Sequence, residues 1–254
     1  MTRTIVAIGG GEIGRKKKLE DGTIKIYPVE TTAIDKEIIT LFGKLNPKLL
    51  FIGTATGDSP TYIEAIQEHF GKSLGCQVDT LNLVTEELSQ EVIAEKILTA
   101  DIIYVGGGNT QFMQDIWAKH GVLPLLRQAY EKGIILSGLS AGANCWFEKS
   151  STDSFMTTED KLDFDKAKEK LAIMDNLGYL KGICCPHYLK EPYRRPAFLH
   201  QMKKYEGIAY GIDNEAALLF QDEKLIRVLK SKPTAKAFEI TSKAGQVIEK
   251  EIDL

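Results

Sequence analysis

The sequence predicts an α/β protein with a mostly parallel, doubly wound sheet. Apolar runs rich in isoleucine, leucine and valine alternate with segments of helical periodicity over the first half of the chain. Such alternation is typical of parallel strands that are covered by helices on both faces. The end of the chain is instead rich in strand-like segments. Ligands of such sheets bind at the carboxyl ends of the strands, so we expect functional residues directly after strands.

The elements follow a regular order in the first half of the chain. Strands are predicted at residues 4–8, 48–53, 77–83, 101–105 and 133–137. Helices are predicted at residues 31–44, 60–73, 89–99, 110–118 and 122–132, where apolar residues recur at helical spacing.

The second half of the chain is less regular. A polar segment at residues 149–166 precedes a predicted helix at 166–175, a short strand at 182–185 and a helix at 194–206. Residues 209–229 predict a hairpin, with strands at 212–220 and 224–229 around a turn at 221–223. Two further strands near residues 237–250 are expected to cover one edge of the sheet.

Length and composition predict one domain over residues 1–254. The chain has 254 residues, of which 43% are hydrophobic, and contains neither a Pro-, Ser- or Gly-rich linker nor a repeat. Its formal net charge is −3, and the basic cluster at residues 15–18 is short. We therefore expect no nucleic-acid partner.

The cysteines and the apolar runs indicate the compartment. The four cysteines lack Cys-x-x-Cys spacing, which predicts a reducing environment, no disulfide framework and no metal site. No run approaches the roughly 18 apolar residues of a membrane span, and the run at residues 4–8 is too short for a signal peptide. We expect a cytoplasmic protein without a membrane partner. The oligomeric state stays open, with a homodimer as one outcome.

The first strand is followed by the pattern Gly-x-Gly-x-x-Gly at residues 9–14. In a dinucleotide site this pattern opens a helix that faces the pyrophosphate, but here Gly14 leads into a segment resembling an inserted hairpin. The second strand also ends without the acidic residue that would bind a ribose. We therefore predict no nucleotide cofactor. The loop either lies against the active site or forms a tight turn.

The pattern Gly-x-Ser-x-Gly at residues 138–142 is the most informative motif of the chain. It lies between a predicted strand and a predicted helix, as in a nucleophile elbow, where small residues allow a sharp turn that exposes the serine hydroxyl. Ser140 is therefore the candidate nucleophile. The alternative is a glycine-rich turn without chemistry.

A serine nucleophile needs a base, and four histidines compete for that role. His69, His120 and His200 lie on predicted helices, where solvated or capping histidines are common. His187 follows a predicted strand instead, at the edge of the sheet where the elbow is expected. His187 is therefore the candidate base.

The base needs a carboxylate that fixes its tautomer. Asp153 is the first candidate, because it gives the chain order Ser, Asp, His of α/β hydrolases. Glu215 is the alternative, because the strand entry at residues 211–215 can also reach the imidazole from the far side.

The oxyanion of a tetrahedral intermediate needs N–H donors. The amide of Ala141, directly after the nucleophile, is the first candidate. Three glycines at residues 106–108 follow a strand and precede a helix, so Gly107 or Gly108 can supply a second amide. Asn109 is a candidate for helix capping or for substrate binding.

Several of these segments together resemble the dipeptidase E (aspartyl dipeptidase) family of serine peptidases. The resemblance rests on residues 106–110, 138–144, 152–153, 186–188 and 211–215. That family is related to the cyanophycinases and has the flavodoxin-like fold of class I glutamine amidotransferases. The resemblance implies that Ser140 is the nucleophile, His187 the base, Asp153 the acidic residue and Gly107-Gly108 the oxyanion loop.

The resemblance also implies a substrate class, namely dipeptides with an N-terminal acidic residue, aspartate above all. A carboxylate suits an arginine fork, and Arg194 and Arg195 follow the candidate base closely. Glu215 would bind the substrate amine if Asp153 orients His187. The alternatives are a cyanophycinase-like hydrolase, a hydrolase of small esters or amides and, last, a ligand-binding module without catalysis.

Overall fold

The computed structural model describes residues 2–19 and 21–253. The strands described are β1 (Thr4–Ile8), β2 (Lys16–Lys18), β3 (Ile24–Ile26), β4 (Lys48–Ile52), β5 (Gln77–Thr80), β6 (Ile102–Val105), β7 (Ile135–Leu139), β8 (Phe147–Thr152), β9 (Ala172–Asp175), β10 (Leu180–Pro186), β11 (Gly207–Ile212), β12 (Ala216–Gln221), β13 (Lys224–Lys230), β14 (Ala237–Lys243) and β15 (Gln246–Glu251).

The helices described are α1 (Thr32–Phe42), α2 (Pro60–Ile66), α3 (Gln90–Leu98), α4 (Thr110–Lys119), α5 (Val122–Glu131), α6 (Ala141–Asn144), α7 (Thr158–Leu162), α8 (Phe164–Lys170) and α9 (Arg194–Met202). Helix α2 continues as a π-helical segment over Gln67–Ser73, and a 3-10 turn covers Thr54–Thr56. No helix in these ranges is both long enough and apolar enough to cross a membrane.

The first sheet confirms the predicted α/β class. Its strand order is β13-β12-β1-β7-β6-β4-β5, and β1, β7, β6, β4 and β5 are parallel. Four of these strands, β1, β4, β6 and β7, are apolar runs of the first half of the chain, and those at the centre are buried on both faces because helices cover them. Strand β5, at the edge, is polar and partly exposed. The hairpin β12–β13 adds two antiparallel strands beside β1.

The C-terminal part corrects the predicted layout, because it contributes to a second sheet as well as to the edge of the first. This six-stranded sheet has the order β15-β14-β11-β10-β8-β9, in which β8, β10 and β11 are parallel. Strand β11 belongs to it, so the segment at residues 209–229 divides between two sheets. The predicted hairpin itself is present as β12–β13, with its turn at Asp222 and Glu223.

Two segments between residues 147 and 175 also differ from the prediction. The polar segment contains β8, whose residues Ser150, Ser151 and Thr152 are buried although they are polar. Buried polar residues remove the apolar alternation by which a strand is identified. The predicted helix at 166–175 ends at Lys170, and the chain continues as β9, which pairs with β8.

The two sheets share a core that brings their strand ends together. Inward-facing residues of both layers meet around the aromatic group Trp146, Phe147, Tyr210 and Phe220. The short helix α6 lies between the layers and contacts β1, β6 and β7 of the first sheet and β8 and β10 of the second. Further apolar clusters fill the outer faces, beneath α1 and α2 on one side and beneath α8 and α9 on the other.

Candidate active site

Ser140 lies on a strained turn between β7 and α6. Its φ is 57° and its ψ is −108°, a backbone conformation that side chains rarely adopt. The flanking glycines make the turn possible. A Cβ on Gly138 would lie 2.3 Å from the Gly142 carbonyl oxygen, and one on Gly142 would lie 2.1 Å from the Val105 carbonyl oxygen. This is the geometry expected of a nucleophile elbow.

His187 follows β10 and reaches Ser140 across the gap between the sheets. Its Nε2 lies 2.8 Å from Ser140 Oγ, within hydrogen-bond reach. Like Ser140, His187 has a positive φ, 54°. Burial lowers the pKa of the imidazole, and the nearby Arg194 guanidinium lowers it further. The ring is therefore neutral at pH 7 and can accept the serine proton.

The residue on the other side of the imidazole is Asn214, which the sequence did not point to. Its Oδ1 lies 2.7 Å from His187 Nδ1. With the amide oxygen as acceptor, Nδ1–H donates to Asn214 and Nε2 is left to accept the Ser140 hydroxyl proton. Asn214 lies next to Glu215, the sequence alternative, but an uncharged amide carries no signal of a catalytic partner. The structure thus forms a Ser140–His187–Asn214 chain.

Asp153 does not contact His187, which corrects its predicted placement. Its carboxylate forms ion pairs with Lys161 and with Arg194, the latter at 3.2 Å, and accepts a hydrogen bond from Tyr193 Oη at 3.1 Å. Burial acts to raise the pKa of this carboxyl, but the two cations outweigh it and hold the pKa well below its usual range. Asp153 therefore stays charged as part of an ionic cluster around the buried Arg194.

Glu215 is not a hydrogen-bond partner of the imidazole either, because the two ring nitrogens of His187 contact Asn214 and Ser140. Its carboxylate lies 3.8 Å from Lys232 Nζ. Near the candidate site Glu215 contributes its backbone N–H instead. The backbone has φ 63° here, and the Glu215 N–H donates to the Gly10 carbonyl at 2.9 Å. The prediction of Glu215 as the orienting acid is therefore corrected as well.

The glycine loop after β1 lies against this chain of side chains. Three consecutive carbonyls, those of Ile8, Gly9 and Gly10, accept the N–H groups of Ser140, His187 and Glu215 at 3.0, 3.1 and 2.9 Å. A Cβ on Gly10 would lie 2.3 Å from Asn214 Oδ1 and 2.4 Å from His187 Nδ1. Of the two interpretations that the sequence left open, the structure thus shows the loop in contact with the candidate active site.

Of the predicted oxyanion donors, Ala141 and Gly107 lie next to Ser140, but the Gly107 amide already has a hydrogen-bond partner. Ala141 begins α6, so its N–H has no partner within the helix. A Cβ on Gly107 would lie 3.2 Å from Ser140 Cβ, but the Gly107 N–H already donates to Tyr62 Oη at 3.2 Å. Gly108 has φ 143° and packs against the Ala55 carbonyl, a position open to glycine alone.

Asn109 caps helix α4 and does not face the candidate nucleophile. Its side chain accepts a hydrogen bond from the Phe112 N–H at 3.0 Å. This is the capping geometry that the residue type predicts, and it corrects the assignment of Asn109 to substrate binding.

A cavity of about 420 Å³ opens at the hydroxyl of Ser140. Its lining includes Ser140, His187, Asn214, Gly107, Gly108 and Tyr62, together with the charged residues Glu12, Arg15, Glu30 and Lys190. A smaller cavity of about 190 Å³ shares Glu30, Lys190 and Asn214 with it. A ligand beside Ser140 would therefore meet charges of both signs.

The predicted arginines are not part of this lining. Arg194 is buried and pairs with Glu191 at 2.5 Å and with Asp153, while Arg195 pairs with Glu249 on the other side of α9. The cations at the cavity are instead Lys190 and Arg15, and Arg15 is 3.0 Å from Glu12. Lys190 follows His187 by three residues, a proximity that could have singled it out in the sequence.

Known proteins that are similar to this chain are peptidases. The uncharacterized peptidase YgaJ of Bacillus subtilis (strain 168) is 31% identical over 249 residues, which are 97% of this chain and 96% of that protein. Peptidase E of Pasteurella multocida (strain Pm70) is 42% identical over 67 residues, 26% of each chain. The chain belongs to peptidase family S51, whose profile matches residues 25–228.

Solved structures support the same fold. A peptidase from an acI-B1 Actinobacterium is similar with a TM-score of 0.65 at 18% identity, covering 100% of this chain and 98% of that one. A candidate peptidase E from Listeria monocytogenes EGD-e is similar with a TM-score of 0.61 at 24% identity, covering 91% and 99%. The likeness thus extends over both sheets.

Proposed function

We propose that this peptidase is a serine peptidase that hydrolyses short peptides through an acyl-enzyme. The observation that carries the proposal is the 2.8 Å contact between Ser140 Oγ and His187 Nε2 on a strained elbow turn. A hydroxyl that is exposed at a cavity and hydrogen-bonded to a neutral imidazole is the arrangement that activates serine for attack on a carbonyl.

The proposed reaction follows from the hydrogen bonds. Ser140 Oγ attacks the scissile carbonyl while His187 Nε2 takes its proton, and the imidazolium then donates that proton to the leaving amine. Water hydrolyses the ester on Ser140 with His187 again as base. Asn214 keeps Nδ1 protonated through the 2.7 Å contact and so fixes the tautomer, although it supplies no charge to the imidazolium.

The cavity supports a short, charged substrate. A volume of about 420 Å³ accommodates a ligand of dipeptide size. We propose that the substrate is a dipeptide with an N-terminal acidic residue, aspartate first. Lys190 replaces the predicted arginines as the partner of its carboxylate, and the carboxylate of Glu30, which also lines the cavity, is the partner of its amine.

Replacement of the nucleophile tests the mechanism. The Ser140→Ala variant should lose peptide hydrolysis and labelling by a fluorophosphonate probe. The control is Ser73→Ala, which changes an exposed serine distant from Ser140 in the sequence and should keep both. Hydrolysis at the wild-type rate by Ser140→Ala would show that another group performs the reaction.

A dipeptide panel tests the substrate class. We expect Asp-Leu to be cleaved faster than Ala-Leu or Lys-Leu, and the Lys190→Met variant to lose that preference while it still reacts with the fluorophosphonate. Lys181→Met, at an exposed position of β10, is the control and should keep it. Equal rates on the three dipeptides in the wild-type protein would remove the acidic specificity and leave the serine mechanism in place.

A further inference from the structure

Tyr62 presents a buried hydroxyl at the cavity beside Ser140. The residue lies on α2, is 4% exposed and lines the same cavity as Ser140 and His187. Its ring packs against Phe51 at 5.1 Å between centroids, and the Arg15 guanidinium lies over it at 5.7 Å. These contacts hold the ring in place on both sides.

The hydroxyl of Tyr62 has a proton to donate. A phenol carries one donor and two acceptor lone pairs, and the Gly107 N–H uses one lone pair at 3.2 Å. Among the residues that the structure describes, Gly107 is the hydrogen-bond partner found for this oxygen, and in that bond Tyr62 is the acceptor. Burial raises the pKa of Tyr62, so the hydroxyl keeps its proton at neutral pH.

The same contact changes the role of Gly107. Its amide was the predicted oxyanion donor, but it points to Tyr62 Oη rather than to an open position. Gly107 nevertheless lies against the nucleophile, since a Cβ on it would be 3.2 Å from Ser140 Cβ. Tyr62, whose Oη accepts from that amide, lines the same cavity as Ser140, so a ligand carbonyl held at Ser140 occupies the space that the two residues share.

We infer that the Tyr62 hydroxyl is a catalytic oxyanion donor, which acts together with the Ala141 amide. The inference rests on the proposed serine mechanism. The Gly107 N–H polarises the Tyr62 O–H by donating to its oxygen, which makes the hydroxyl a stronger donor. The O–H then donates to the oxyanion of the tetrahedral intermediate, and no proton leaves the phenol. Such a donor stabilises charge that is present only in the transition state.

The Tyr62→Phe variant tests this inference, because it removes one oxygen and keeps the ring. We expect kcat for dipeptide hydrolysis to fall by about 100-fold with KM nearly unchanged, as for other oxyanion donors. The affinity for a peptidyl boronic acid, whose tetrahedral adduct mimics the intermediate, should fall by a similar factor. If Tyr62 only covers the Gly107 amide, the phenylalanine variant frees that amide, and kcat stays the same or rises. That result would overturn the inference.

A matched control is Tyr104→Phe. Tyr104 is buried in the same core, its ring lies 6.4 Å from that of Phe51, and its hydroxyl has no hydrogen-bond partner among the described residues. This variant should keep the wild-type kcat. Labelling of Ser140 separates the two hypotheses: a wild-type protein that neither hydrolyses dipeptides nor reacts with the fluorophosphonate refutes the proposed function, whereas an active wild type with an equally active Tyr62→Phe variant refutes the role of Tyr62 alone.

Discussion

Gly10 packs against Asn214 so closely that a Cβ at residue 10 would collide with the side-chain amide oxygen of Asn214. The distance from an ideal Cβ on Gly10 to Asn214 Oδ1 is 2.3 Å, and His187 Nδ1 would be 2.4 Å away. The glycine thus makes room for the hydrogen bond that orients the imidazole. For this steric reason the glycine loop after β1 forms part of the candidate active site.

The Gly10→Ala variant should lose activity far more than stability. Because the methyl group displaces His187 and Asn214 by a fraction of an ångström or more, we expect kcat/KM for dipeptides to fall by about 100-fold. Gly71→Ala is the control, since a Cβ there meets the nearest atom, Val78 Cγ2, at an ordinary 3.6 Å. Steady-state kinetics and thermal unfolding of both variants check the prediction. Unchanged kinetics in Gly10→Ala would mean that the pair does not depend on this contact.

The dependence of kcat/KM on pH should reflect the fact that the partner of His187, Asn214, is uncharged. Burial and Arg194 lower the imidazole pKa from its ordinary 6.5, and the reaction requires the neutral base. The acidic limb of kcat/KM against pH should therefore lie below pH 6.5. In Asn214→Asp a carboxylate stabilises the imidazolium and raises the His187 pKa, so the limb should move to higher pH.

Glu215→Gln is the control for that measurement, because the Glu215 carboxylate pairs with Lys232 and not with His187. The acidic limb of kcat/KM against pH in Glu215→Gln should coincide with that of the wild type. A limb that moves in Glu215→Gln but stays in place in Asn214→Asp would mean that Glu215, not Asn214, governs the base.

The strained backbone of Ser140 predicts an unusual order of stabilities. At a φ of 57° and a ψ of −108°, glycine avoids the steric cost that a Cβ imposes, which is about 1–3 kcal/mol for such conformations. Ser140→Gly should therefore be more stable than Ser140→Ala by about 1 kcal/mol in urea unfolding. At Ser73, in the π-helical segment, the order should reverse, because glycine costs about 0.5–1 kcal/mol in a helix. The same order at both positions would argue against strain at the elbow.

The ionic cluster around the buried Arg194 predicts a loss of stability. In Arg194→Met the carboxylates of Asp153 and Glu191, which are 27% and 31% exposed, lose a buried cation. Removal of one partner of a fully buried pair costs about 3–5 kcal/mol, so with partly exposed carboxylates we expect a smaller loss of about 2 kcal/mol. Arg195→Met breaks only the pair with Glu249, in which the arginine is 47% exposed, and should cost about 1 kcal/mol. Urea denaturation measures both. A similar small loss in the two variants would show that the cluster does not stabilise the fold.

Local sequence patterns predicted those parts of the site that depend on backbone geometry. The elbow at Ser140 needs small neighbours, and His187 follows a strand that ends at the same edge, so both could be found in the sequence. The parallel strands of the first sheet were identified for a similar reason, since strands buried on both faces are almost entirely apolar.

The orienting residue and the second sheet could not be predicted in this way. A search for a charged partner favours Asp153, but the chain uses that carboxylate to neutralise Arg194, and the neutral Asn214 occupies the place beside the imidazole. Strand β8 carries two buried serines and a buried threonine, and Ser150 accepts its hydrogen bond from Asn176, 26 residues along the chain. Contacts of this kind are long-range and leave no local pattern.

The candidate site is divided between the two sheets, and its geometry therefore depends on how the sheets pack against each other. Ser140 follows a strand of one sheet, His187 follows a strand of the other, and Asn214 lies in the short connection between β11 and β12. Sliding one layer past the other by about 1 Å would pull the imidazole out of hydrogen-bond reach of the hydroxyl while both layers keep their own ladders. We therefore expect that loosening between the two sheets breaks the hydrogen bond between Ser140 and His187 before either sheet unfolds.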